Sequence, residues 1–244
     1  MNIGIELIAF IIIIFIAALS RSTFGFGDAL IAMPLLAMFF SIKTATPIVA
    51  FTGFFISLII LARNWKILKF KMIWQLILFS IIGIPLGVLF LKDAHEDLVK
   101  TVLAVMLVLF STYQLFKPKL IQMKNDRFAF FFGLISGALG GAYNTNGPPI
   151  IIFGTLRAWS PKEFRVILQG IFLPTNLFII IGHGIAGLWA NTVFNYFLIS
   201  LPVVLVAIII GSKLNKVVPA EKFTKYIYLF LLFIGLSLLI NIYF

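Results

Sequence analysis

Long apolar stretches separated by short polar or basic loops run through almost the whole chain. A helix needs about 20 apolar residues to cross a bilayer. Two apolar regions, 3–40 and 128–157, are interrupted by glycine, proline and short polar residues. The pattern predicts an all-α polytopic membrane protein with two regions that do not form plain spans. The continuous spans are predicted at 44–62, 72–91, 98–116, 164–183, 192–212 and 224–243.

Basic residues concentrate in three loops, 63–71, 117–127 and 213–225. Loops rich in lysine and arginine stay on the cytoplasmic side of a membrane. With all three loops inside, region 128–157 must leave the cytoplasm and return to it. Its roughly 30 residues are too few for two crossings of about 20 residues each. We therefore expect two half-helices that meet near the middle of the membrane.

The same argument applies to the interrupted region at residues 3–40, whose break lies at 20–34. It places the N-terminus outside and divides the chain into a first membrane repeat (1–116), a basic cytoplasmic linker (117–127) and a second membrane repeat (128–244). Each repeat is predicted as a broken or re-entrant helical hairpin followed by three transmembrane helices, and the two have opposite orientations. Inverted repeats with broken helices in matching positions are typical of secondary transporters, whose sites lie at the repeat interface.

Glycines mark the two breaks, Gly25 and Gly27 in the first and Gly140, Gly141 and Gly147 in the second. Irregular backbone at membrane depth is tolerated only where protein buries it or where it lines a cavity. The half-helix after each break begins with unpaired N–H groups and the positive end of a helix dipole, which favour an anion. The alternative is that polar residues in the two elbows only cap the half-helices. The side chains in question are Ser22, Thr23, Asn144, Thr145 and Asn146.

Charged and amide side chains near the breaks are the other candidates. Arg21 and Asp28 flank the first elbow, and we expect Arg21 to neutralise an anion while Asp28 acts as its resting partner or as a proton carrier; the alternative places Arg21 at an interface. Arg165 either lies under the second elbow or anchors its span at the cytoplasmic side. Gln169 and Asn176 are two helical turns apart and share a face, so they line a pathway or bond between helices.

Composition excludes several other functions. The chain is 62% hydrophobic and 11% charged, whereas soluble domains carry about a quarter charged residues. The chain has no cysteine, and His95 and His183 are far apart in sequence, so we expect no metal site. We expect His183, near the end of its span, at the outer membrane interface. Without a phosphate-binding loop or paired intramembrane carboxylates, we expect neither an enzyme nor a cofactor. The net charge of +11 is explained by the cytoplasmic loops and does not indicate nucleic acid.

Two segments resemble the paired signatures of the TauE/SafE family of sulfite exporters. They are RSTFGFGDALIAMPLL (21–36) and SGALGGAYNTNGPPIIIF (136–153). The resemblance implies membrane transport of small sulfur anions such as sulfite, thiosulfate and organosulfonates. The chain departs from many members at Asp28, where they continue the glycine run, and at residues 144–146, where others carry more glycine.

The sequence therefore predicts a secondary transporter in the cell membrane that exports sulfite or an organosulfonate by alternating access around two facing elbows. A negative-inside potential favours anion efflux by about 2.3 kcal/mol per charge per 100 mV. The expected partners are the small anion and the lipid bilayer, and the sequence leaves homo-oligomerisation open. The alternatives are an anion channel, a cation or metal carrier that uses Asp28, and a scaffold that transports nothing.

Overall fold

The computed structural model covers most of the chain, and all regular secondary structure in the described part is helical. Most of the predicted linker 117–127, and Lys69 of the first basic loop, lie outside the described residues. The described residues are 3–68, 70–116, 122–123, 125–217 and 220–243.

The described residues form ten α-helices, and each of the six predicted spans is one of them. Seven helices are long and apolar enough to cross a membrane, namely α1, α3, α4, α5, α8, α9 and α10. The multi-pass, all-helical class predicted from the sequence is thereby confirmed. The bounds are Ile3–Phe24 (α1), Asp28–Leu36 (α2), Ile42–Asn64 (α3), Trp74–Asp93 (α4), Glu96–Phe116 (α5), Ala129–Tyr143 (α6), Gly147–Leu156 (α7), Pro161–Ile185 (α8), Asn191–Leu214 (α9) and Ala220–Tyr243 (α10).

The two interrupted regions form helical hairpins with arms of different lengths. In the second, α6 has 15 residues and α7 has 10, so neither arm crosses a bilayer alone. In the first, α2 has nine residues but α1 has 22 and is long enough to cross by itself. Both halves of the chain nevertheless have the same order, a longer and a shorter arm followed by three long helices.

Helix packing also repeats between the two halves. α1 packs on α9 as α6 packs on α4, and α3 contacts α9 as α8 contacts α4. The remaining large contacts, α3 with α8 and α5 with α10, join equivalent helices of the two halves. Exchanging α1–α5 with α6–α10 therefore maps these contacts onto one another, whereas the short arms α2 and α7 have different sets of partners. The opposite orientation of the halves in the membrane stays a prediction.

Glycines allow α4 and α6 to pack with their backbones in contact. Gly83 and Gly87 on α4 face Gly133, Gly137 and Gly141 on α6, and a Cβ at any of the five positions would overlap a backbone atom of the other helix. Small residues spaced four apart permit such close approach between membrane helices. Gly141 is therefore a packing residue inside α6. Its predicted place in the second elbow is wrong.

His183 lies inside the protein, so its predicted position at the outer interface is wrong. Its side chain is fully buried, and Nε2 is 2.9 Å from the carbonyl oxygen of Gly141. The contact joins α8 to α6, because the two helices cross closely beside the α4–α6 glycine interface. One ring nitrogen of His183 thus bonds to a backbone group that periodicity alone does not bring to it, while Nδ1 has no partner in the described part of the chain.

Candidate functional site

The first elbow joins α1 to α2 through residues 25–27. Gly25 and Gly27 have φ values of +92° and +102°, which glycine adopts without the penalty that a Cβ brings. The first hydrogen bond inside α2 runs from Ile31 N–H to the carbonyl oxygen of Gly27, at 3.0 Å. The N–H groups before it lack partners within α2, and among the described residues no side chain caps this end. The positive end of α2 therefore points into the buried elbow, next to the Asp28 carboxylate of its own first turn.

The second elbow joins α6 to α7 through Asn144 and two further polar residues. Asn144 is in the left-handed conformation, with φ of 54°, and α7 begins at Gly147 without a side-chain cap from the residues described. The Asn146 side chain donates to Thr175 Oγ1 at 3.0 Å, and the backbone carbonyl oxygen of Asn146 accepts from the Ser136 hydroxyl at 2.8 Å. Asn146 thus fastens the elbow to its neighbours, and the capping alternative does not describe it.

The two elbows meet at one small cavity. Residues 26–30 line it from the first elbow, residues 144–147 line it from the second, and Phe172 of α8 closes one side. It has room for about one water molecule. The predicted meeting of the two breaks is therefore observed, in a conformation too contracted to hold a sulfur oxyanion.

Arg21 is buried beside this cavity and holds four neighbours together. Its Nε donates to Gln169 Oε1 at 3.1 Å, Nη1 pairs with Asp28 and Nη2 donates to the Ser57 hydroxyl. The guanidinium carbon lies 4.8 Å from the centroid of the Phe172 ring. With 2% of Arg21 exposed, the alternative that placed it at an interface is wrong, and the predicted pairing with Asp28 is present.

The two amides of α8 have different surroundings. Gln169 bonds in both directions, since its Nε2 donates to the Gly25 carbonyl oxygen at 2.7 Å while Oε1 accepts from Arg21. It therefore ties the first elbow to the arginine. Asn176, two turns further on, is 1% exposed, and neither of its amide atoms has a hydrogen-bond partner in the described part of the chain.

Unpartnered polar groups cluster where the elbows meet. Asn144 Nδ2 donates to the Val49 carbonyl oxygen at 3.1 Å, but Asn144 Oδ1 and Thr145 Oγ1 have no partner among the described residues. Both residues are at most 2% exposed. A buried polar group without a partner costs roughly 1–3 kcal/mol of folding free energy. Asn144, Thr145 and Asn176 together therefore destabilise the fold unless a ligand or water bonds to them.

Three predicted site residues do not line the cavity between the elbows. Ser22 and Thr23 face α9, since a Cβ at Gly211 would lie 2.6 Å from Ser22 Cβ and 3.1 Å from Thr23 Oγ1. Arg165 is not under the second elbow: it lies against the first, with its Cγ 3.1 Å from the position of a Cβ at Gly25. Its guanidinium donates to the Ser22 carbonyl oxygen, which fixes the end of α1.

Sequence reasoning missed Gly53, Ser57 and Phe172. Gly53 and Ser57 are four residues apart on α3 and therefore share a face, which was a usable signal in an otherwise apolar span. Phe172 carried no signal, because it is one of 28 phenylalanines. The structure also brings together no group of three His, Asp or Glu side chains suited to a metal, within the residues it describes.

Comparison with known proteins supplies the remaining evidence. The family model described as Sulfite exporter TauE/SafE matches residues 10–238, nearly the whole chain. No curated protein and no solved structure matches significantly. The match spans both hairpins and all three helices that follow the first, so it covers the elbows and the cavity between them. The chain therefore belongs to the sulfite exporter TauE/SafE family, a class of membrane transporters.

Proposed function

We propose that this protein is a secondary transporter that exports a small sulfur oxyanion, sulfite or an organosulfonate, across the cell membrane. The observation that carries the proposal is the meeting of two uncapped helix starts at one buried cavity. The start of α2 presents free N–H groups and the positive end of a dipole, whereas the start of α7 presents its dipole and the N–H of Gly147, because Pro148 and Pro149 carry no N–H. The Thr145 hydroxyl, which has no partner among the described residues and can donate to an anion, lies at the same place, next to the Asn144 amide, whose N–H group already bonds to Val49. Such a site stabilises negative charge away from water.

The Arg21–Asp28 pair balances charge when the site is contracted. Alone, either group would be an uncompensated charge inside the membrane, which is costly. An arriving anion competes with Asp28 for the guanidinium, and a proton on Asp28 removes that competition. Asp28 is therefore our candidate proton carrier, and Arg21 is the cation that passes from the internal partner to the substrate.

Different packing of the two short arms supports alternating access. α2 packs on α1, α3, α5 and α10, whereas in the described residues the main partners of α7 are α6 and α8. A groove of about 570 Å³ lies where α7 faces α5, the counterpart of the α2–α10 contact. The corresponding groove between α1, α2 and α10 is smaller, about 310 Å³, so the two short arms differ in how tightly they pack against the long helices. A cycle in which the arms exchange these states would expose the cavity to each side in turn.

The direction of transport follows from the charge of the substrate. A negative-inside membrane potential favours anion efflux by about 2.3 kcal/mol per charge per 100 mV. Export therefore requires no coupling ion, while uptake would need one. Proton movement through Asp28 would add to either direction according to the pH gradient.

The test is sulfite efflux and counterflow in proteoliposomes, with sulfite binding to purified protein measured by calorimetry. Asn144→Ala and Thr145→Val remove the unpartnered groups and should reduce both flux and binding. Thr155→Val, at the other end of α7, removes a hydroxyl that bonds only within its own helix and should behave as wild type. Sulfate, chloride and an alkylsulfonate test selectivity.

Each alternative gives a different result. Single-channel currents without counterflow would replace the carrier with an anion channel. Binding of a divalent cation with no response to any anion would overturn the proposal and favour a cation carrier. Equal loss of flux in all three variants would show that the elbow groups have no special role.

A further inference from the structure

Three nitrogen atoms that carry hydrogen-bond donors converge on one glycine of α3. A Cβ at Gly53 would lie 3.1 Å from Arg21 Nη1, 3.1 Å from Asn176 Nδ2 and 3.2 Å from Asn144 Nδ2. The three come from α1, α8 and the second elbow, which are far apart in sequence. The three nitrogens therefore pack closely against the backbone of α3, and an oxygen bound by all three would lie beyond the Cβ position, on the side away from Gly53 Cα.

The backbone gives no reason for a glycine at this position. Gly53 lies inside α3 and lacks the positive φ that marks Gly25 and Gly27. Glycine is less favourable than alanine in a helix interior. What Gly53 provides is space, since any side chain would occupy the point at which the three nitrogens converge.

Arg21 Nη1 already pairs with Asp28 and Asn144 Nδ2 already donates to the Val49 carbonyl oxygen, so each can give an anion only its second N–H, whereas Asn176, within the described residues, is entirely free to bind. Asn176 has no partner for either amide atom within the described chain, and Asn144 has none for Oδ1. Both are at least nine-tenths buried. Groups this buried are normally bonded, so their arrangement indicates a ligand and not packing alone.

We propose that Gly53 opens a niche for one oxygen of the transported anion, with Arg21, Asn144 and Asn176 as its donors. The inference rests on the proposed transport of an oxyanion and specifies how that anion is held. Asn144 belongs to both the niche and the elbow cavity, so one anion bridges them: one oxygen enters the niche and another meets the N–H groups at the start of α2 or α7. A halide has one atom and satisfies only one of the two places.

The test is Gly53→Ala in purified full-length protein, with sulfite and chloride binding measured by calorimetry. All three close atoms are ends of side chains, so the protein can fold around the new methyl group while the donors are pushed apart. We expect sulfite affinity to fall at least about tenfold, which corresponds to the loss of one charge-assisted hydrogen bond. Thermal stability without sulfite should fall only slightly, because the preference of alanine for a helix offsets part of the cost of shifting Arg21 and Asn144.

The matched control is Gly182→Ala on α8. A Cβ there would lie 3.1 Å from a methyl group of Val88, an equally tight contact that faces α4 and not the site. It should bind sulfite as wild type does. A second variant, Asn176→Asp, keeps the size of the side chain but adds negative charge, and should abolish sulfite binding.

The outcomes separate this inference from the proposed function. If the wild type binds no oxyanion, the proposed function fails. If the wild type binds sulfite and Gly53→Ala binds it equally well, or Asn176→Asp does, the niche is overturned while the transporter stands. A loss in Gly182→Ala equal to that in Gly53→Ala would assign the effect to helix packing and also overturn the niche.

Discussion

Replacing Asn176 by alanine should stabilise the protein and at the same time weaken anion binding. The side chain is 1% exposed and neither amide atom has a partner in the described part of the chain. Each unpaired group costs roughly 1–3 kcal/mol, so removing both relieves about 2 kcal/mol at the low end. The cavity left behind, roughly 30 Å³ at about 24 cal/mol per Å³, costs about 0.7 kcal/mol. The free energy of unfolding without ligand should therefore rise by about 1 kcal/mol.

Binding should change in the opposite direction. A hydrogen bond to a charged group contributes roughly 1.5–3 kcal/mol, so Asn176→Ala should weaken sulfite affinity by about 10- to 100-fold. A purely structural amide would lose stability when removed and leave affinity nearly unchanged. The two readouts together separate a ligand-binding role from a packing role.

Gln169 is the natural comparison, since it lies two turns away on the same helix. Gln169→Ala breaks the bonds to Gly25 and Arg21. It leaves the Gly25 carbonyl oxygen and the Arg21 Nε–H group buried without a partner. It should lower the free energy of unfolding by roughly 2–4 kcal/mol. The two substitutions thus remove similar side chains from one helix face with opposite effects on stability.

The assay is thermal or denaturant unfolding of both variants in the same detergent, with and without sulfite. We expect Asn176→Ala to melt above wild type without sulfite and to gain less from added sulfite, because a ligand stabilises in proportion to its affinity. If Asn176→Ala is destabilised as much as Gln169→Ala, the amide is a structural partner and the reasoning is refuted.

Three further predictions concern charge, packing and movement. Arg21→Ala leaves the Asp28 carboxylate buried and unpaired, which should cost roughly 3–5 kcal/mol of unfolding free energy. Combining it with Asp28→Ala should recover most of that loss. A double-mutant cycle of unfolding in which the two losses simply add would contradict the pairing. Gly87→Ala places a methyl group against the backbone of α6 and should cost at least about 3 kcal/mol, so wild-type melting would rule out the close α4–α6 contact. Met106→Cys with Ile152→Cys places thiols across the α5–α7 groove of a chain without cysteine; oxidative cross-linking should speed up during sulfite turnover, and an unchanged rate would argue against closure of α7.

Hydrophobic pattern alone determined the position of six long spans and of the two breaks, but not that α1 is a seventh helix of full length. This follows because bilayer thickness dictates how many apolar residues a span needs, and because glycine, proline and asparagine interrupt a helix through their own backbone chemistry. The proposal that the elbows bind an anion also came from local structure, since a helix start has N–H groups without partners inside the helix. The family signatures lie on these same local features.

Tertiary structure decided which polar groups belong to the site. Ser22 and Thr23 follow Arg21 directly in sequence, but only Arg21 turns toward the cavity, because successive residues of a helix point in different directions and α9 takes up the other face. Gly53 became a candidate site residue only when α1, α8 and the second elbow were brought around it. Sequence periodicity shows which residues share a face of one helix, but the helix that this face meets depends on packing between segments more than 100 residues apart, such as Arg21 with Gln169.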